Sequence, residues 1–181
     1  NMDTRFWGPS GWKLLHLITY GYPNTPTYQD KTNYGVFFNA LKYILPCKYC
    51  RISLTKFYKQ LPLEEHLNSK NTLTNWLFHI HNKVNNKLRK QNLIKIPNPK
   101  KNEIDLIYEK MLDDKCRIPG WDFLYCMIFN YPKDNSSLFC KSSHINLTMV
   151  QHLYPIDYLF SVNKKHSLGL KSLLNSSNQE T

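Results

Sequence analysis

Apolar residues recur at three- and four-residue steps through much of this chain, the period of helices that bury one face. Residues 9–20 carry Trp12, Leu15, His16 and Thr19 on such steps, with Pro9 suited to a first turn and Tyr22-Pro23 to a stop. Residues 24–28 read as loop. A second helix is expected over 31–45, with Tyr34, Phe37, Phe38, Leu41 and Ile44 inward and Pro46 ending it. The third starts at Cys47, carries Ile52, Leu54, Phe57 and Tyr58, and stops at Leu61-Pro62; residues 63–70 add one short turn. The fourth has the clearest pattern. Asn71 or Thr72 serves as cap, and Leu73, Leu77, Ile80, Val84 and Leu88 form an unbroken stripe, flanked by His79, His81, Asn82, Asn85 and Lys87. After a loop marked by Pro97 and Pro99, residues 102–114 predict a fifth helix with Ile104, Ile107, Tyr108 and Met111.

Beyond Cys116 the pattern changes. Pro119-Gly120 is a turn, 121–129 is densely apolar and 135–143 is polar. Residues 144–154 and 156–162 read as short helices, 167–174 as a weaker one, and 179–181 as a frayed end. There is no β-α alternation, no internal repeat and no low-complexity tract. The expected fold is all-α: a helical domain over 4–115, then a small, mainly helical C-terminal module over 116–181 with no assigned role.

Composition narrows the classes. With 181 residues, 41% hydrophobic and 14% aromatic, the chain can bury a globular core. No run of about 18 apolar residues is present, so no membrane span is expected. Residues 14–18 are too short for a secretory apolar region and are interrupted by His16, so the sequons at Asn135, Asn146 and Asn175 carry little weight. Asn1 ahead of Met2 reads as a cloning remnant and is set aside. A net charge of +11 admits an anionic partner: nucleic acid, an acidic surface or a phosphate-bearing cofactor. The lysines look scattered rather than striped, so a biased composition accounts for the charge equally well.

Five cysteines, Cys47, Cys50, Cys116, Cys126 and Cys140, are too few and too unevenly spaced for a disulfide scaffold. Two of them form P-C-K-Y-C-R at residues 46–51, a dithiol at i and i+3 opening a helix. Free N–H groups and the positive dipole end stabilise a thiolate there, and Lys48 and Arg51 add positive charge. A CxxC alone is equally half of a zinc site. Two other stretches accompany it. In W-G-P-S-G-W-K-L-L-H (7–16), Trp12 and His16 lie four apart on one face, placed to wall and hydrogen-bond a planar ring. In W-L-F-H-I-H-N-K-V-N-N-K-L (76–88), Trp76 offers an aromatic surface, His81 and Asn85 put a ring and an amide on one side, and Lys87 and Lys90 reach toward a pyrophosphate. Taken singly, a Trp-His pair is usually a core pair and a His-rich helix a polar flank. Their joint occurrence in this order is harder to assign to chance.

These stretches resemble the Erv/ALR family of FAD-linked sulfhydryl oxidases over residues 6–90. The resemblance implies a four-helix bundle plus a short fifth helix, a homodimer, and FAD held beside the CxxC. It implies that Trp7, Gly8, Trp12 and His16 line the flavin, with Tyr20 or Tyr22 nearby. Trp76, His81, Asn82, Val84 and Asn85 match the cofactor-contacting stretch, and Lys87 and Lys90 match basic positions near the phosphates. Phe78 stands where cellular members often carry Cys and would make a steric contact only. The implied activity is oxidation of dithiol protein substrates, with a thioredoxin-like relay protein as one candidate. Cys47 takes the substrate attack, Cys50 lies next to the flavin, and O₂ accepts the electrons to give hydrogen peroxide.

The chain also departs from the family. It has no second CxxC shuttle, and no clear counterpart of a long-spaced structural disulfide. Cys116 and Cys126 either pair or are buried free thiols. A minimal core with unrelated extra sequence is most like the large-DNA-virus branch. That implies host cytoplasm (the virus factory) and the virion, with the mitochondrial intermembrane space as the alternative. Three competing readings remain. A zinc module would pair Cys47 and Cys50 with Cys140 and His144, against the tight spacing usual for zinc. A thioredoxin-like fold needs strands that the pattern lacks. Nucleic-acid binding would rest on the charge alone.

Overall fold

The computed structural model describes residues 3–113 and 119–129, and these are helical with no strand among them. Six α-helices follow one another: α1 (Thr4–Tyr20), α2 (Tyr28–Ile44), α3 (Lys48–Gln60), α4 (Lys70–Lys90), α5 (Lys101–Asp113) and α6 (Trp121–Phe129). A 3₁₀ turn, Leu63–His66, lies between α3 and α4. Helix α2 packs on α3, α3 on α4 and α4 on α1, and α1 also takes α5 and α6. No helix among the described residues is long and apolar enough to cross a membrane.

Capping groups set several starts away from where periodicity alone puts them. Asp3 accepts the N–H of Arg5 at 2.9 Å, so α1 begins at Thr4 and Pro9 falls inside it rather than at its first turn. That proline leaves the Arg5 carbonyl without its helical donor. Thr27 and Asp30 form a reciprocal capping box, so α2 starts at Tyr28, in what reads as loop. Ser69, not Asn71 or Thr72, caps α4, and Thr72 closes its box.

The core follows the helical stripes closely. Tyr34, Phe37, Phe38, Leu41 and Ile44 of α2 are all buried, as are Leu73, Leu77 and Ile80 of α4; Val84 is only half-buried. Two expected inward residues face solvent instead, Ile52 at 58% exposure and Ile107 at 52%. Helix α5 contributes Tyr108 to a small cluster with Leu17 and Tyr20 of α1.

Helix α6, assigned from sequence to the C-terminal module, shares the main core: Phe123, Cys126 and Met127 belong to the same buried cluster as Trp7 and Leu14. Phe123 lies against Trp7, ring centroids 5.7 Å apart, and over Gly11, where an added Cβ would stand 2.9 Å from its ring. Gly120, which turns the chain into α6, has φ +116°, and a Cβ there would meet Leu14 Cβ at 2.7 Å. Gly120→Ala is therefore expected to lower stability by about 1–3 kcal/mol, read as a drop in the urea midpoint. Cys116, Cys140, His144 and the short helices expected over 144–162 lie outside the described residues.

Candidate functional site

The dithiol sits where α2 hands over to α3. Leu45 and Pro46 end the previous helix, and Cys47, in extended backbone, becomes the N-cap of α3. Its Sγ accepts the backbone N–H of Cys50 at 3.2 Å, the contact that a thiol at a helix start is expected to make. The Arg51 guanidinium turns back to donate to the Leu45 carbonyl, bracing the entry to the helix.

Cys47 is buried and Cys50 half-buried, so the second cysteine is the more exposed of the pair. Burial pushes the Cys50 thiol up to about 12, and its hydrogen bond with Cys47 and that sulfur's negative charge add to the effect. Lys87 and Arg51 oppose it. Lys87 comes from α4, which packs on α3, and its ammonium donates to Ser53 Oγ at 2.7 Å, one turn on from Cys50.

A second cluster lies between α1 and α4. Trp12 stacks on His81 with ring centroids 3.8 Å apart and planes within 7°. His81 Nδ1 shares a hydrogen bond with His16 Nε2 at 3.0 Å. His16 stacks in turn on Tyr108 at 4.8 Å. Burial lowers His81 to about 4, and burial, then His81 and Lys101, lower His16 to about 3, so both rings are neutral near pH 7. His16 Nδ1 and Trp7 Nε1 are buried without a hydrogen-bond partner. Tyr20, Asp105 and Lys101 complete the cluster: the Tyr20 hydroxyl donates to Asp105 at 2.5 Å, and Lys101 pairs with the same carboxylate. The dithiol thus starts a helix packed on α4, and α4 carries, nearly two turns before Lys87, a neutral aromatic-imidazole cluster.

The model of the Erv1/Alr family matches residues 9–103, more than half of the chain. The chain belongs to the Erv1/Alr family. A probable FAD-linked sulfhydryl oxidase of Acanthamoeba polyphaga mimivirus is 42% identical over 85 residues, covering 46% of this chain and 59% of that protein. The mitochondrial FAD-linked sulfhydryl oxidase ERV1 of Saccharomyces cerevisiae is 36% identical over 88 residues, 49% of this chain and 46% of that one. A FAD-linked sulfhydryl oxidase of African swine fever virus is 32% identical, covering 47% of this chain and 70% of the viral protein. The chain thus spans about half the length of the first two. The crystal structure of the FAD binding domain of yeast Erv1 superposes with a TM-score of 0.54 at 31% identity, over 61% of this chain and 97% of that one.

Within the family domain, the residues singled out from sequence divide into two groups. Trp12, His16 and His81 are brought together, with Cys50 and Lys87 at the neighbouring α3–α4 contact. Asn82, Val84 and Asn85 are half-buried on α4, and Lys90 is exposed in its last turn. Phe78 is half-buried, edge-on to His79.

Trp76 is not a surface at all. It is fully buried, its indole N–H donates to the Leu61 carbonyl at 3.1 Å, and its ring meets Phe38 and Tyr58 edge-on. Tyr22 is equally enclosed, donating to the Leu67 carbonyl at 2.9 Å. Tyr20 turns toward α5, Trp7 lies against Phe123, and a Cβ at Gly8 would meet open space. The sequence reading missed Lys101, Asp105 and Tyr108 as members of the cluster. Tyr108 was legible as an inward residue of α5, but nothing local points it at His16.

The chain's own groups fit a flavin nucleotide. Two buried polar atoms, His16 Nδ1 and Trp7 Nε1, lack partners, and α4, which carries His81, ends in Lys87, Arg89 and Lys90. Trp12 and His81 touch face to face, which leaves no room for a third ring between them.

Proposed function

We infer that this chain is an FAD-dependent thiol oxidase that makes disulfides in protein substrates carrying two thiols. One observation carries the inference: the dithiol opens α3, which packs on α4 through Lys87 and Ser53, and α4 is the same helix that holds His81 against Trp12 and His16. The names of the viral and yeast relatives support the cofactor and the reaction class.

In the oxidised protein Cys47 and Cys50 form a disulfide. A substrate thiolate attacks Cys47 Sγ, the bond to Cys50 breaks, and Cys50 leaves as thiolate. In that mixed disulfide Cys47 carries no charge, so its share of the upward push on Cys50 is gone, while Lys87 and Arg51 remain to stabilise the leaving sulfur. The second substrate thiolate then attacks the substrate sulfur of the mixed disulfide and releases Cys47. Two substrate thiols become one disulfide, and two electrons and two protons pass to the enzyme pair. FAD, when bound, supplies a two-electron acceptor beside that pair and a route onward to O₂, giving hydrogen peroxide. His16 and His81, neutral and hydrogen-bonded to each other, would orient the ring system without adding positive charge. Lys87 and Lys90 would hold its phosphates.

A homodimer, a setting in host cytoplasm and virion, and a thioredoxin-like relay as substrate belong to the same reading; the two viral relatives support the setting. Purified protein is expected to be yellow, to release FAD on denaturation at one per chain, and to consume oxygen when given dithiothreitol. Colourless protein holding one zinc per chain would overturn the reading in favour of a metal module.

A further inference from the structure

Positive charge is not scattered evenly over the described residues. Helix α3 carries Lys48, Arg51, Lys56 and Lys59 and no carboxylate, and α4 likewise has only cations. The acidic side chains of the described residues sit elsewhere: Asp3 and Asp30 at the starts of α1 and α2, Glu64 and Glu65 in the 3₁₀ turn, Glu103, Asp105, Glu109 and Asp113 on α5, and Asp122 on α6. On α3, Lys48, Ile52, Thr55, Lys56 and Lys59 recur at steps that share one face, and all five are exposed. None of these three lysines has a carboxylate partner among the described residues; the ion pairs there are Arg5–Asp3 and Lys101–Asp105. Glu64, which lines a small pocket with Lys59 at the far end, is itself bonded to Asn39 at 3.1 Å beside Lys42.

The stripe starts at the dithiol. Beside Cys47 and Cys50 it exposes two apolar side chains, Tyr49 at 67% and Ile52 at 58%, the latter expected inward from the helical pattern but facing solvent. From Lys48 to Lys59 the helix advances about 16 Å, the reach of about five residues of extended chain.

We propose that the outer face of α3 docks an acidic segment of the thiol substrate, about five residues long and continuous with the cysteine being oxidised. Tyr49 and Ile52 take an apolar residue next to that cysteine, and Lys48, Lys56 and Lys59 take the carboxylates. The proposal rests on the oxidase reading for the identity of its occupant as a thiol protein. A protein segment fits better than nucleic acid because the face is continuous with a dithiol whose chemistry needs thiols. The two exposed apolar side chains at its head also have no use for a phosphate backbone. Charge of this kind acts chiefly on encounter and on specificity, so it belongs in KM and in salt dependence rather than in the chemical step.

The test uses the full-length FAD-bound protein and two peptides of equal length. Each has one pair of cysteines, followed by aspartates and glutamates in one peptide and by lysines in the other. The acidic peptide is expected to be oxidised with kcat/KM about tenfold or more above the basic one at low salt, with the ratio collapsing in high salt. Lys56→Glu/Lys59→Glu lies away from the dithiol and should erase or invert that ratio while leaving the dithiothreitol rate unchanged. Fluorescence anisotropy with serine versions of the labelled peptides reads docking without any turnover. It should show tighter binding of the acidic peptide, lost in the same variant. Absence of dithiothreitol turnover would sink the oxidase reading while the anisotropy still judged the surface. Equal kcat/KM for the two peptides, or an acidic preference untouched by the charge reversals, would overturn the docking proposal. So would a DNA duplex that binds more tightly than the acidic peptide and loses its affinity in the variant, which would make this a nucleic-acid surface.

Discussion

Cys47→Ser and Cys50→Ser are each expected to reduce dithiothreitol oxidation to the rate of buffer alone. The loss is complete rather than partial because the oxidising group is a bond between the two sulfurs, and one sulfur cannot hold it. The two variants should nonetheless differ when their remaining thiols are titrated. Burial comes first among the causes that push Cys50 up to about 12, followed by the hydrogen bond with Cys47 and that sulfur's charge. In Cys47→Ser the sulfur's charge vanishes and a neutral hydroxyl takes its place, while Lys87 and Arg51 stay. Cys50 should then titrate below its wild-type position, though burial still holds it up. A pH series of thiolate absorbance or of alkylation rate on the two variants reads this directly. Turnover retained in Cys50→Ser would remove Cys50 from the electron path. An unmoved Cys50 titration in Cys47→Ser would mean that burial alone sets it.

Much of the framework was legible because helical burial is periodic. The inward set of α2 came straight from spacing, and so did Leu73, Leu77 and Ile80 of α4. Helix starts were harder, because a cap is a single side-chain hydrogen bond and not a pattern. Asp3 holds α1 open for more than a turn ahead of Pro9, and the Thr27–Asp30 box was present in the sequence but hidden in what looked like loop.

For the site, residue type identified the members but not their roles. Trp76 sits beside the apolar stripe of α4, and whether its indole faces a ligand or the core depends on the Leu61 carbonyl, fifteen residues away. Tyr20 was placed near the cofactor, yet its hydroxyl goes to Asp105, a partner 85 residues on that only the packing of α5 on α1 supplies. Helix α6 shows the same limit. A short apolar run at the edge of an unfamiliar stretch reads as another module until Gly11 and Gly120 are seen to let it close on α1. The charge along α3 is the converse case, a stripe that looks scattered in a list of lysines and gathers only once the helix is wound.

Acidification from pH 7 to 5 is expected to cost the fold about 4 kcal/mol through His16 and His81 together. Both imidazoles are held below the ordinary 6.5, His16 to about 3 and His81 to about 4, with burial the main cause in each. The unfolded chain therefore takes up protons first as pH falls through about 6.5, while the folded chain stays neutral. Stability is present above that value and drains away until the folded pKa values are reached. The geometry explains why the fold resists the proton. His16 Nε2 and His81 Nδ1 share one hydrogen at 3.0 Å, and charging both rings would set two N–H groups and two positive charges against each other. Carboxylates contribute little in this window. Asp30 is lowered by hydrogen bonds with Thr27, and Glu64 chiefly by a backbone hydrogen bond, so both titrate below it. With total stabilities of about 5–15 kcal/mol typical of domains, the urea midpoint should fall by roughly 2 M between pH 7 and 5. His16→Gln/His81→Gln, less stable at pH 7 but with nothing left to protonate there, should show nearly the same midpoint at both pH values. A variant midpoint that still fell in parallel with wild type would place the acid sensitivity elsewhere and leave the histidine pair without that role.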